Sequence, residues 1–581
     1  MTSSAIGAAF LVSIDFMQKR WLFDNEFNPD EVEVLQNELN ISEPIAQLLN
    51  QRGVHSFDEA RDFFRPSLDQ LHDPFLMKDM DKAVNRLSEA LANQEKILIY
   101  GDYDVDGTTS VATFYGFLEK FYDNLEFYIP DRYKEGYGVS EAGVQYAKDN
   151  GFSLIVTLDC GIKAIDRVKE ANQYGIDMII CDHHMPGEEL PPAIAVLDPK
   201  QHDCAYPYKE LSGCGVGFKL LQGFSIQNGV ELSELYDFLD LLAVSVASDI
   251  VPITGENRVL AYFGLKKLNK SPRPGLKALI DLCKNRSALT ISSIVFGIGP
   301  RINAAGRMKH AAASVELLLS KTDQEAVELA ASVNDQNDKR RDFDSSITEE
   351  ALQMIVNTDA QDAKSTVLYK NDWHKGVIGI VASRCIEKFY RPTVILTESN
   401  EMVTGSARSV EGFDVYDAIC ECSDLLEQFG GHMYAAGVTM PLDNVEAFRE
   451  KFEEVVASKI TEDQLIPSVN VDINISLDQI NQRFFNIVNQ MAPFGPGNMQ
   501  PVFVTDNVQA VNVKVLKDQH LKFMARQVGT DVAYDAIGFG LGEYADLVNS
   551  GMRFQMAYTV EENEFRGHKS LQLFIKDVRF D

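Results

Sequence analysis

Short apolar runs alternate with amphipathic stretches between residues 96 and 199. Each run has the length of a buried strand, and the segments that begin near Thr108, Ser140 and Lys163 have the periodicity of helices. Strands that alternate with helices predict a parallel sheet with helices on its faces. The predicted strands are KILIYGD, LEFYIPD, SLIVTLD, DMIICD and AIAVLDP.

The pattern differs on either side of this region. Residues 29–93 predict several helices broken by glycine and proline, and residues 211–319 are mostly helical apart from GIGPRINAAGR. Dense charges over residues 321–356 predict one long exposed helix that joins two lobes. Strand and helix patterns return from residue 365, with helices expected over 377–389 and 415–429. After residue 467, short alternating runs predict a small antiparallel barrel or sandwich.

These changes of pattern divide the 581 residues into five expected segments. The fold class is α/β, with a parallel-sheet lobe, a second smaller α/β lobe joined by a long helix, and a C-terminal β-barrel. The expected segments are 1–70 (N-terminal extension and helices), 71–320 (parallel-sheet domain), 321–358 (connecting helix), 359–462 (second α/β domain) and 463–581 (β-barrel domain).

Three aspartates follow the first predicted strand: Asp102, Asp104 and Asp106 in GDYDVDG. Carboxylates this close repel one another unless a cation lies among them, and such hard oxygen ligands suit magnesium, calcium or manganese. An Asp/Gly-rich solvated turn is an equally good interpretation of this motif alone.

Matching groups follow other apolar segments. Asp159 ends SLIVTLD, His183 and His184 end DMIICDHH, and Asp249 follows LDLLAVSVAS, which predicts a buried helix. The carboxyl ends of parallel strands meet at one edge of the sheet, so these groups should converge on a metal site. Each alone could be a capping aspartate or a core histidine, but their coincidence favours the metal site.

Composition limits the functional classes. The formal charge of −32 argues against broad nonspecific coating of nucleic acid, although it allows a local basic channel. The eight cysteines include no CxxC pair, which indicates reduced core thiols in a cytoplasmic protein. No apolar run is long enough to span a membrane. The apolar stretch Ala5–Ile14 lacks preceding basic residues and does not predict a signal peptide, so we hypothesise that Met17 is the natural start.

Two further patterns suggest nucleic-acid contacts. Glycine-rich turns in GSARS and GGHMYAAG, beside Ser, Arg and His, could form a phosphate pocket in which backbone amides and Arg408 share the charge. Glycines packed between helix and strand are the alternative. In the last segment, Lys and Arg interleave with Phe, which could stack bases along a single strand. Core aromatics with solvated lysines are nearly as consistent with that pattern.

Together the motifs resemble a known family. GDYDVDG, TLDCG, CDHH and SVASDIV resemble, in chain order, the motifs of the Asp-His-His phosphoesterase superfamily. GPRINAAGR, WHKGVIGIVASR, GSARS, GGHMYAAG and PFGPGNMQPVF are similar to those of the RecJ family of single-strand-specific 5′ to 3′ exonucleases, over a match from about Phe64 to the C-terminus. The resemblance implies a catalytic lobe with two divalent ions, Mn²⁺ or Mg²⁺, facing a smaller lobe across a cleft. It also implies a C-terminal OB-fold that binds single-stranded DNA.

The resemblance also implies roles for individual residues. Asp159 would bridge the two metals, and His184 would face the scissile phosphate. The implied metal ligands are Asp102, Asp104, Asp106, Asp159, His183 and Asp249. The implied catalytic residues are His184, Asp159 and Arg301, and the implied substrate-binding residues are Arg132, Arg301, Ser406, Arg408 and His432.

Two positions depart from related sequences. More distant superfamily members have a histidine four residues before the first metal aspartate, where this chain has Tyr100, and RecJ-like sequences also lack that histidine. The departure favours the RecJ branch over pyrophosphatases and dinucleotide phosphodiesterases. Met499 stands where a proline is usual, which changes little.

The expected function is a metal-dependent, single-strand-specific 5′ to 3′ DNA exonuclease that releases mononucleotides in DNA repair and recombination. The protein would be a cytoplasmic monomer with a helicase and a single-strand-binding protein as partners. Because His183 softens the site, manganese should be at least as effective as magnesium. An oligoribonuclease or cyclic-dinucleotide phosphodiesterase is the first alternative, but it would not need the C-terminal β domain. A catalytically silent replication scaffold is the second, and it would typically have lost metal ligands.

Overall fold

The structure is a computed structural model that describes residues 19–283, 287–357, 362–399 and 401–580. The stretch Ala5–Ile14 and the hypothetical start at Met17 lie outside the described residues. A search of the described helices finds none that is both long and apolar enough to cross a bilayer.

Within these residues, the helices α1 to α21 in chain order are Pro29–Leu39, Glu43–Gln51, Phe57–Phe64, Met80–Ala92, Val105–Leu118, Glu141–Asp149, Ile165–Gln173, Gly213–Asn228, Leu232–Tyr236, Leu239–Ser248, Gly255–Lys270, Pro274–Leu282, Ile291–Ser293, Gly299–Met308, Ala312–Leu319, Asp323–Asn357, Ile378–Lys388, Val415–Cys420, Val445–Lys459, Gln482–Gln490 and Ala545–Asn549. A π-helical turn, Ile294–Ile298, precedes α14.

The strands β1 to β18 of the described chain are Arg20–Phe23, Ile97–Gly101, Leu125–Tyr128, Leu154–Leu158, Asp177–Cys181, Ala195–Leu197, Thr366–Tyr369, Thr393–Ser399, Met402–Arg408, Gln428–His432, Ala435–Met440, Ser468–Val471, Ile473–Asn474, Phe503–Leu516, His520–Gln527, Ala533–Gly538, Phe554–Phe565 and His568–Phe580.

The chain forms two units, which we call the N-unit and the C-unit. The N-unit comprises residues 27–345 and 486–500, and the C-unit comprises residues 19–26, 346–485 and 501–580 of the described chain. Helix α16 runs from one into the other. Its residues Ala326, Ala330 and Val333 pack into the core of the N-unit, and Ile347 and Ala351 pack into a core of the C-unit.

A five-stranded parallel sheet, in the order β3-β2-β4-β5-β6, forms the centre of the N-unit. Strands β2 and β4 are buried at every position, because helices cover both faces of the sheet. Apolar side chains of α5, α8 and α10 fill the core on one face. Those of α6 and α7 pack with Leu98 and Tyr100 on the other. The strands are in register, so Gly101, Leu158 and Cys181 end at one edge.

The C-unit contains the second α/β lobe and a barrel. The lobe has a mixed sheet in the order β10-β11-β9-β8-β7, in which only β7 and β8 are parallel among the described strands. In the barrel, β14, β15, β16, β18 and β17 pair in sequence, and β14 also pairs with β17 to close it. The α/β class, with a parallel-sheet lobe, a smaller α/β lobe after a long helix and a C-terminal barrel, is therefore confirmed.

Two local predictions were wrong or incomplete. The helix expected over residues 415–429 ends at Cys420, and strand β10 begins at Gln428. Strand β1 was not predicted at all; it pairs in parallel with β12 and places Trp21 in a small core with Val471 and Val504.

Candidate metal centre

The loops that follow β2, β4 and β5 carry the predicted acids and histidines. Asp104 caps the N-terminus of α5 by accepting a hydrogen bond from the Gly107 N–H at 3.0 Å. Asp159 directly follows β4, and His183 follows β5 by two residues. Asp249 is the C-terminal cap of α10. The alignment of the strand ends brings these side chains to the same edge of the sheet.

His183 Nε2 lies at the centre of three carboxylates. It is 3.2 Å from Asp159 Oδ1, 3.5 Å from Asp249 Oδ2 and 3.9 Å from Asp106 Oδ2. Among the described residues, no hydrogen bond reaches His183 Nε2, Asp159 Oδ1 or Asp249 Oδ2, although all three atoms are buried. Buried polar atoms without partners are costly, so this arrangement calls for a ligand that the protein itself does not supply.

The electrostatics of the site indicate that the ligand carries a positive charge. Burial, together with the neighbouring acids Asp106 and Asp104, raises the pKa of Asp159 and of Asp249 well above the ordinary value. Burial and Asp104 do the same to the pKa of Asp102, and burial lowers the pKa of His183. A cation favours ionised carboxylates and a neutral imidazole. With oxygen and nitrogen donors converging within 4.8 Å of one another, these residues fit a divalent cation.

Four of the six predicted ligands belong to two groups of converging side chains that share His183. Asp106, His183 and Asp249 offer ligand atoms within 4.8 Å of one another, and so do Asp159, His183 and His184. Asp102 and Asp104 are in neither group. Burial raises the pKa of Asp104, and so does Asp106 beside it.

The N-terminus of α8 forms a wall of the site. The backbone N–H groups of Gly213 and Cys214 donate to Asp106 Oδ2 and Oδ1 at 2.7 and 3.0 Å. Only glycine fits at position 213, because a Cβ there would lie 2.5 Å from the Cβ of Asp159. Asp159 itself has a left-handed backbone with φ of 62°, which strains a non-glycine residue. This wall was not predicted from the sequence, although Ser212 before a glycine-rich helix is a recognisable N-cap signal.

His184 is held by its neighbour Asp182. Its Nδ1–H donates to Asp182 Oδ1 at 2.7 Å, and Nε2 lies 3.0 Å from the hydroxyl of Tyr137. Burial opposes the charge on both partners. The hydrogen bond and mutual attraction nevertheless lower the pKa of Asp182 to about 2 and raise the pKa of His184. Asp182 also accepts the N–H of Ile162 at 2.8 Å, so its orientation is fixed. The sequence did not indicate this positioning role.

The arginines predicted to bind substrate lie in different surroundings. The guanidinium of Arg132 lies over the ring of Tyr103 at 4.8 Å. Its positive charge partly offsets the rise that burial and Asp104 cause in the pKa of Asp102. Arg301 lies in α14, where its Nε donates to Asn334 at 2.9 Å and its Nη1 donates to the Gly297 carbonyl at 2.6 Å. Arg132 is thus beside the acidic cluster, whereas Arg301 is bonded to α16 and to the π-helical turn.

Ser406, Arg408 and His432 belong to the C-unit. In the pairing of β9, β11 and β10, Arg408 aligns with Ala435, which aligns with His432. Ser406 and Arg408 are two residues apart and their side chains share one sheet face, on which Arg408 Nη1 donates to Ser406 Oγ at 2.9 Å. A Cβ at Gly379, in the first turn of α17, would lie 2.7 Å from Arg408 Nη2 and 2.8 Å from Ser406 Oγ. Ser406 and Arg408 therefore form a polar pair beside the first turn of α17, and His432 lies two strands away in the same sheet.

One detail of this group differs from expectation. The glycines of GGHMYAAG were predicted to lie in turns, but Gly430 and Gly431 lie within β10 and Gly437 lies within β11. A Cβ at Gly431 would lie 2.3 Å from the Ala435 carbonyl oxygen, so glycine allows the two strands to approach closely at this position.

Three family models match the chain. The N-terminal domain model of the DHH family matches residues 96–246, the DHHA1 domain model matches residues 362–458, and the RecJ OB domain model matches residues 471–577. The single-stranded-DNA-specific exonuclease RecJ of Bacillus subtilis is 39% identical over 94% of this chain and 69% of its own length. The protein of the same name from Dickeya dadantii is 32% identical over 92% of this chain and 95% of its own length.

Solved structures agree with the sequence relatives. The crystal structure of RecJ from Thermus thermophilus in complex with Mn²⁺ matches with a TM-score of 0.84 and 26% identity, over 97% of this chain and 80% of that one. The Mg²⁺ complex from the same organism matches with a TM-score of 0.78 and 25% identity, over 97% and 78%. The fold, the metal-binding chemistry of the sheet edge and these relatives lead to one conclusion: the chain belongs to the RecJ family of single-stranded-DNA-specific exonucleases.

Proposed function

We propose that this chain is a metal-dependent exonuclease that degrades single-stranded DNA in the 5′ to 3′ direction and releases mononucleotides. The observation that carries the proposal is the position of His183 Nε2, 3.2–3.9 Å from the carboxylates of Asp159, Asp249 and Asp106. Buried ligand atoms without hydrogen-bond partners support a cation site here over a set of structural ion pairs.

In this proposal the site would hold two divalent cations, and Asp159 would be one of the residues that bind them. The proposed ligands are Asp102, Asp104, Asp106, Asp159, His183 and Asp249. When bound, such a pair of ions lowers the pKa of a water molecule to a value near neutrality and stabilises the negative charge that develops in an in-line phosphoryl displacement. The nitrogen of His183 makes the ligand set softer than one of oxygens alone, which suits Mn²⁺ as well as Mg²⁺.

His184 acts on the scissile phosphate in this proposal. The raised pKa of its imidazole keeps it protonated to higher pH than usual, so it can donate a hydrogen bond to a phosphate oxygen. Asp182 fixes the ring through Nδ1 and leaves Nε2, beside the Tyr137 hydroxyl, for the substrate. Arg132 and Arg301 would bind backbone phosphates, for which Arg301 must exchange its bond to Asn334.

Ser406, Arg408 and His432 are proposed to bind the terminal 5′ phosphate. Ser406 and Arg408 lie beside the first turn of α17, and the N-terminus of a helix favours anions. A bidentate arginine beside a hydroxyl and an imidazole supplies the remaining charge and hydrogen bonds. A pocket for a terminal phosphate would give the enzyme its direction.

The C-terminal barrel is proposed to hold the rest of the strand. OB-folds bind single strands by stacking bases on aromatic rings and by placing cations along the backbone. Phe539 and Phe574 stack with centroids 5.1 Å apart, and the ammonium of Lys576 lies 4.5 Å from the ring of Phe574. Phe539 is 52% exposed, so one ring of this pair is available to a base.

The test uses DNA labelled at either end. Single- and double-stranded oligonucleotides carrying a 5′ or a 3′ label are incubated with the full chain and Mn²⁺, Mg²⁺ or chelator. We expect the 5′ label to be released first as a mononucleotide, from single strands only and not in chelator. Release of the 3′ label first would disprove the direction, and activity in chelator would disprove the metal requirement.

A substitution tests the site itself. Asp159→Asn is preferred to alanine because asparagine tolerates the left-handed backbone found at this position. We expect Asp159→Asn to abolish hydrolysis while single-strand binding stays within a factor of about two. Asp203→Asn, on an exposed aspartate paired with Lys78, is the control and should keep full activity. Normal turnover by Asp159→Asn would remove Asp159 from the metal centre.

The biological setting is part of the proposal. A role in DNA repair and recombination, a monomeric cytoplasmic protein, and partnership with a helicase and a single-strand-binding protein would fit such an enzyme. A preference for dinucleotides over long single strands would instead favour an oligoribonuclease or a cyclic-dinucleotide phosphodiesterase. The match of residues 471–577 to the RecJ OB domain supports the long-strand substrate.

A further inference from the structure

Two buried serines connect the helices that surround Asp106. Ser245, in α10, donates its hydroxyl to Asp106 Oδ1 at 2.7 Å, and its Oγ lies 2.6 Å from the Oγ of Ser212. Ser212 caps α8 and accepts the N–H of Gly215 at 3.1 Å. Both serines are fully buried, and Asp106 is 1% exposed.

The hydrogen atoms in this chain of bonds can point in only one direction. Ser245 has one hydroxyl hydrogen and donates it to Asp106 Oδ1, so it has none left to donate to Ser212. Ser212 must therefore donate to Ser245, and its own oxygen accepts from the Gly215 N–H. We call this ordered set Gly215 N–H, Ser212 O–H, Ser245 O–H and Asp106 Oδ1 the serine relay.

Ser245 does not behave as a serine inside a helix usually does. Such a hydroxyl normally bonds to the carbonyl four residues earlier, as Ser225 of α8 does with Leu221 at 2.8 Å. Ser245 instead reaches across to α5. It also lies four residues before Asp249, so both side chains project from the same face of α10 towards the metal centre.

The relay determines which oxygen of Asp106 faces the metal centre. Oδ1 accepts hydrogen bonds from the Ser245 hydroxyl and from the Cys214 N–H, and these two bonds occupy it. Oδ2 accepts only from the Gly213 N–H among the described residues, and this is the oxygen 3.9 Å from His183 Nε2. The carboxylate cannot rotate without breaking the bonds to Oδ1.

We propose that Ser245, oriented by Ser212, is a positioning residue that presents Asp106 Oδ2 to the divalent cation. The inference rests on the metal site of the proposed function, and it adds two residues that are not themselves ligands. Groups that orient a metal ligand in this way typically contribute about 10–100-fold to metal affinity.

The test measures metal binding directly. Mn²⁺ is titrated into the metal-free full chain, by calorimetry or by electron paramagnetic resonance, for the wild type, Ser245→Ala, Ser212→Ala, the double variant and the control Ser225→Ala. We expect Ser245→Ala to raise the Kd for Mn²⁺ by about 10–100-fold. Ser225→Ala also removes a fully buried helical hydroxyl, but we expect its Kd to stay within about twofold of the wild type.

The double variant tests the relay. If Ser212 acts through Ser245, removing Ser212 after Ser245 should change the Kd by less than about twofold. Ser212→Ala alone should raise the Kd by less than Ser245→Ala does. It should also lower the Tm of the metal-free protein, because it removes the N-cap of α8. Independent, multiplicative effects of the two substitutions on the Kd would disprove the relay.

Two outcomes would overturn the inference as a whole. One is an unchanged Mn²⁺ affinity in Ser245→Ala. The other is a loss of affinity that Ser225→Ala shares to the same extent, which would indicate general loosening of the core. Nuclease assays on the wild type separate this result from the proposed function, because weakened Mn²⁺ binding in Ser245→Ala would support the inference even if the DNA were not cut.

Discussion

Gly213→Ala is the substitution that most directly tests the wall of the metal centre. The added methyl group would lie 2.5 Å from Asp159 Cβ, 2.6 Å from Asp159 Oδ1 and 2.8 Å from Asp159 Cα. Asp159 cannot move aside easily, since its backbone is already in the left-handed region and its Oδ1 is 3.2 Å from His183 Nε2. The N-terminus of α8 must therefore retreat from the site.

The cost to stability is modest and the cost to activity is large. Overpacking of this kind costs about 1–3 kcal/mol, of which the better helix propensity of alanine returns up to about 1 kcal/mol. The retreat also draws the N–H groups of Gly213 and Cys214 away from Asp106, which they contact at 2.7 and 3.0 Å. A displacement of about 1 Å in an active site can lower turnover by about a hundredfold. We therefore expect about a hundredfold loss of kcat with a loss of only about 1–2 kcal/mol in unfolding free energy.

The assay compares single-strand hydrolysis with urea denaturation for Gly213→Ala and for Gly215→Ala. Gly215 lies two residues further along α8, and the three atoms nearest to a Cβ there are side-chain atoms of Leu211 and Ser212 at 3.3–3.5 Å. Alanine keeps the backbone N–H that Gly215 donates to Ser212. The control should therefore keep its activity within a few-fold and be as stable as the wild type. Full activity in Gly213→Ala would show that the close approach of α8 to Asp159 is not needed for catalysis, and the reasoning would fail.

Four further outcomes are expected from particular features of the structure. Ile250 follows α10 with φ of 60° and is 63% exposed, so Ile250→Gly should raise the unfolding free energy by about 1 kcal/mol in urea denaturation. The buried ammonium of Lys219 pairs with Glu256 at 3.0 Å, so Glu256→Gln should lower the unfolding free energy by about 3–5 kcal/mol. A loss below about 1 kcal/mol would show that the pair is solvated. Burial raises the pKa of Asp577, which means that its ionised form opposes folding; Asp577→Asn should raise the Tm at neutral pH while still accepting from Trp21, and the gain should vanish as the pH falls below about 4. Mn²⁺ at about 100 times its Kd should stabilise the protein by about 2.7 kcal/mol, an effect that chelator reverses and that calorimetric scans measure.

Much of the candidate metal centre could be predicted because its residues follow strands of one parallel sheet. Asp159 and His183 come after apolar runs of strand length, and parallel strands in register place the residues after them at one edge. The buried helix before Asp249 was also clear from an uninterrupted apolar segment. Placement of these candidate ligands at one edge needed only the periodicity of the chain and the geometry of parallel sheets.

Some strands of the C-unit were harder to predict because their residue types do not favour a β-strand, although they pair with other strands. Strand β10 has the sequence QFGGH and is exposed at every position, so neither β-propensity nor alternation indicates a strand. Its partner β11 supplies the reason for its conformation through five aligned residue pairs. Strand β1 depends in the same way on β12, more than four hundred residues away in the chain. Such strands are consequences of tertiary structure, which a single sequence does not display.

The orientation of the candidate ligands could not be predicted from the sequence. The contacts that hold Asp106 include those from Gly213 and Ser245, 107 and 139 residues further along the chain. A serine in an apolar helix carries the same local pattern whether it bonds to its own helix, as Ser225 does, or to a carboxylate of another helix, as Ser245 does. Only the crossing of α5, α8 and α10 at one point distinguishes the two cases. Residues that bind a metal can thus be identified by their position just after a strand, whereas residues that aim the ligands can be identified only from the packing of the helices behind it.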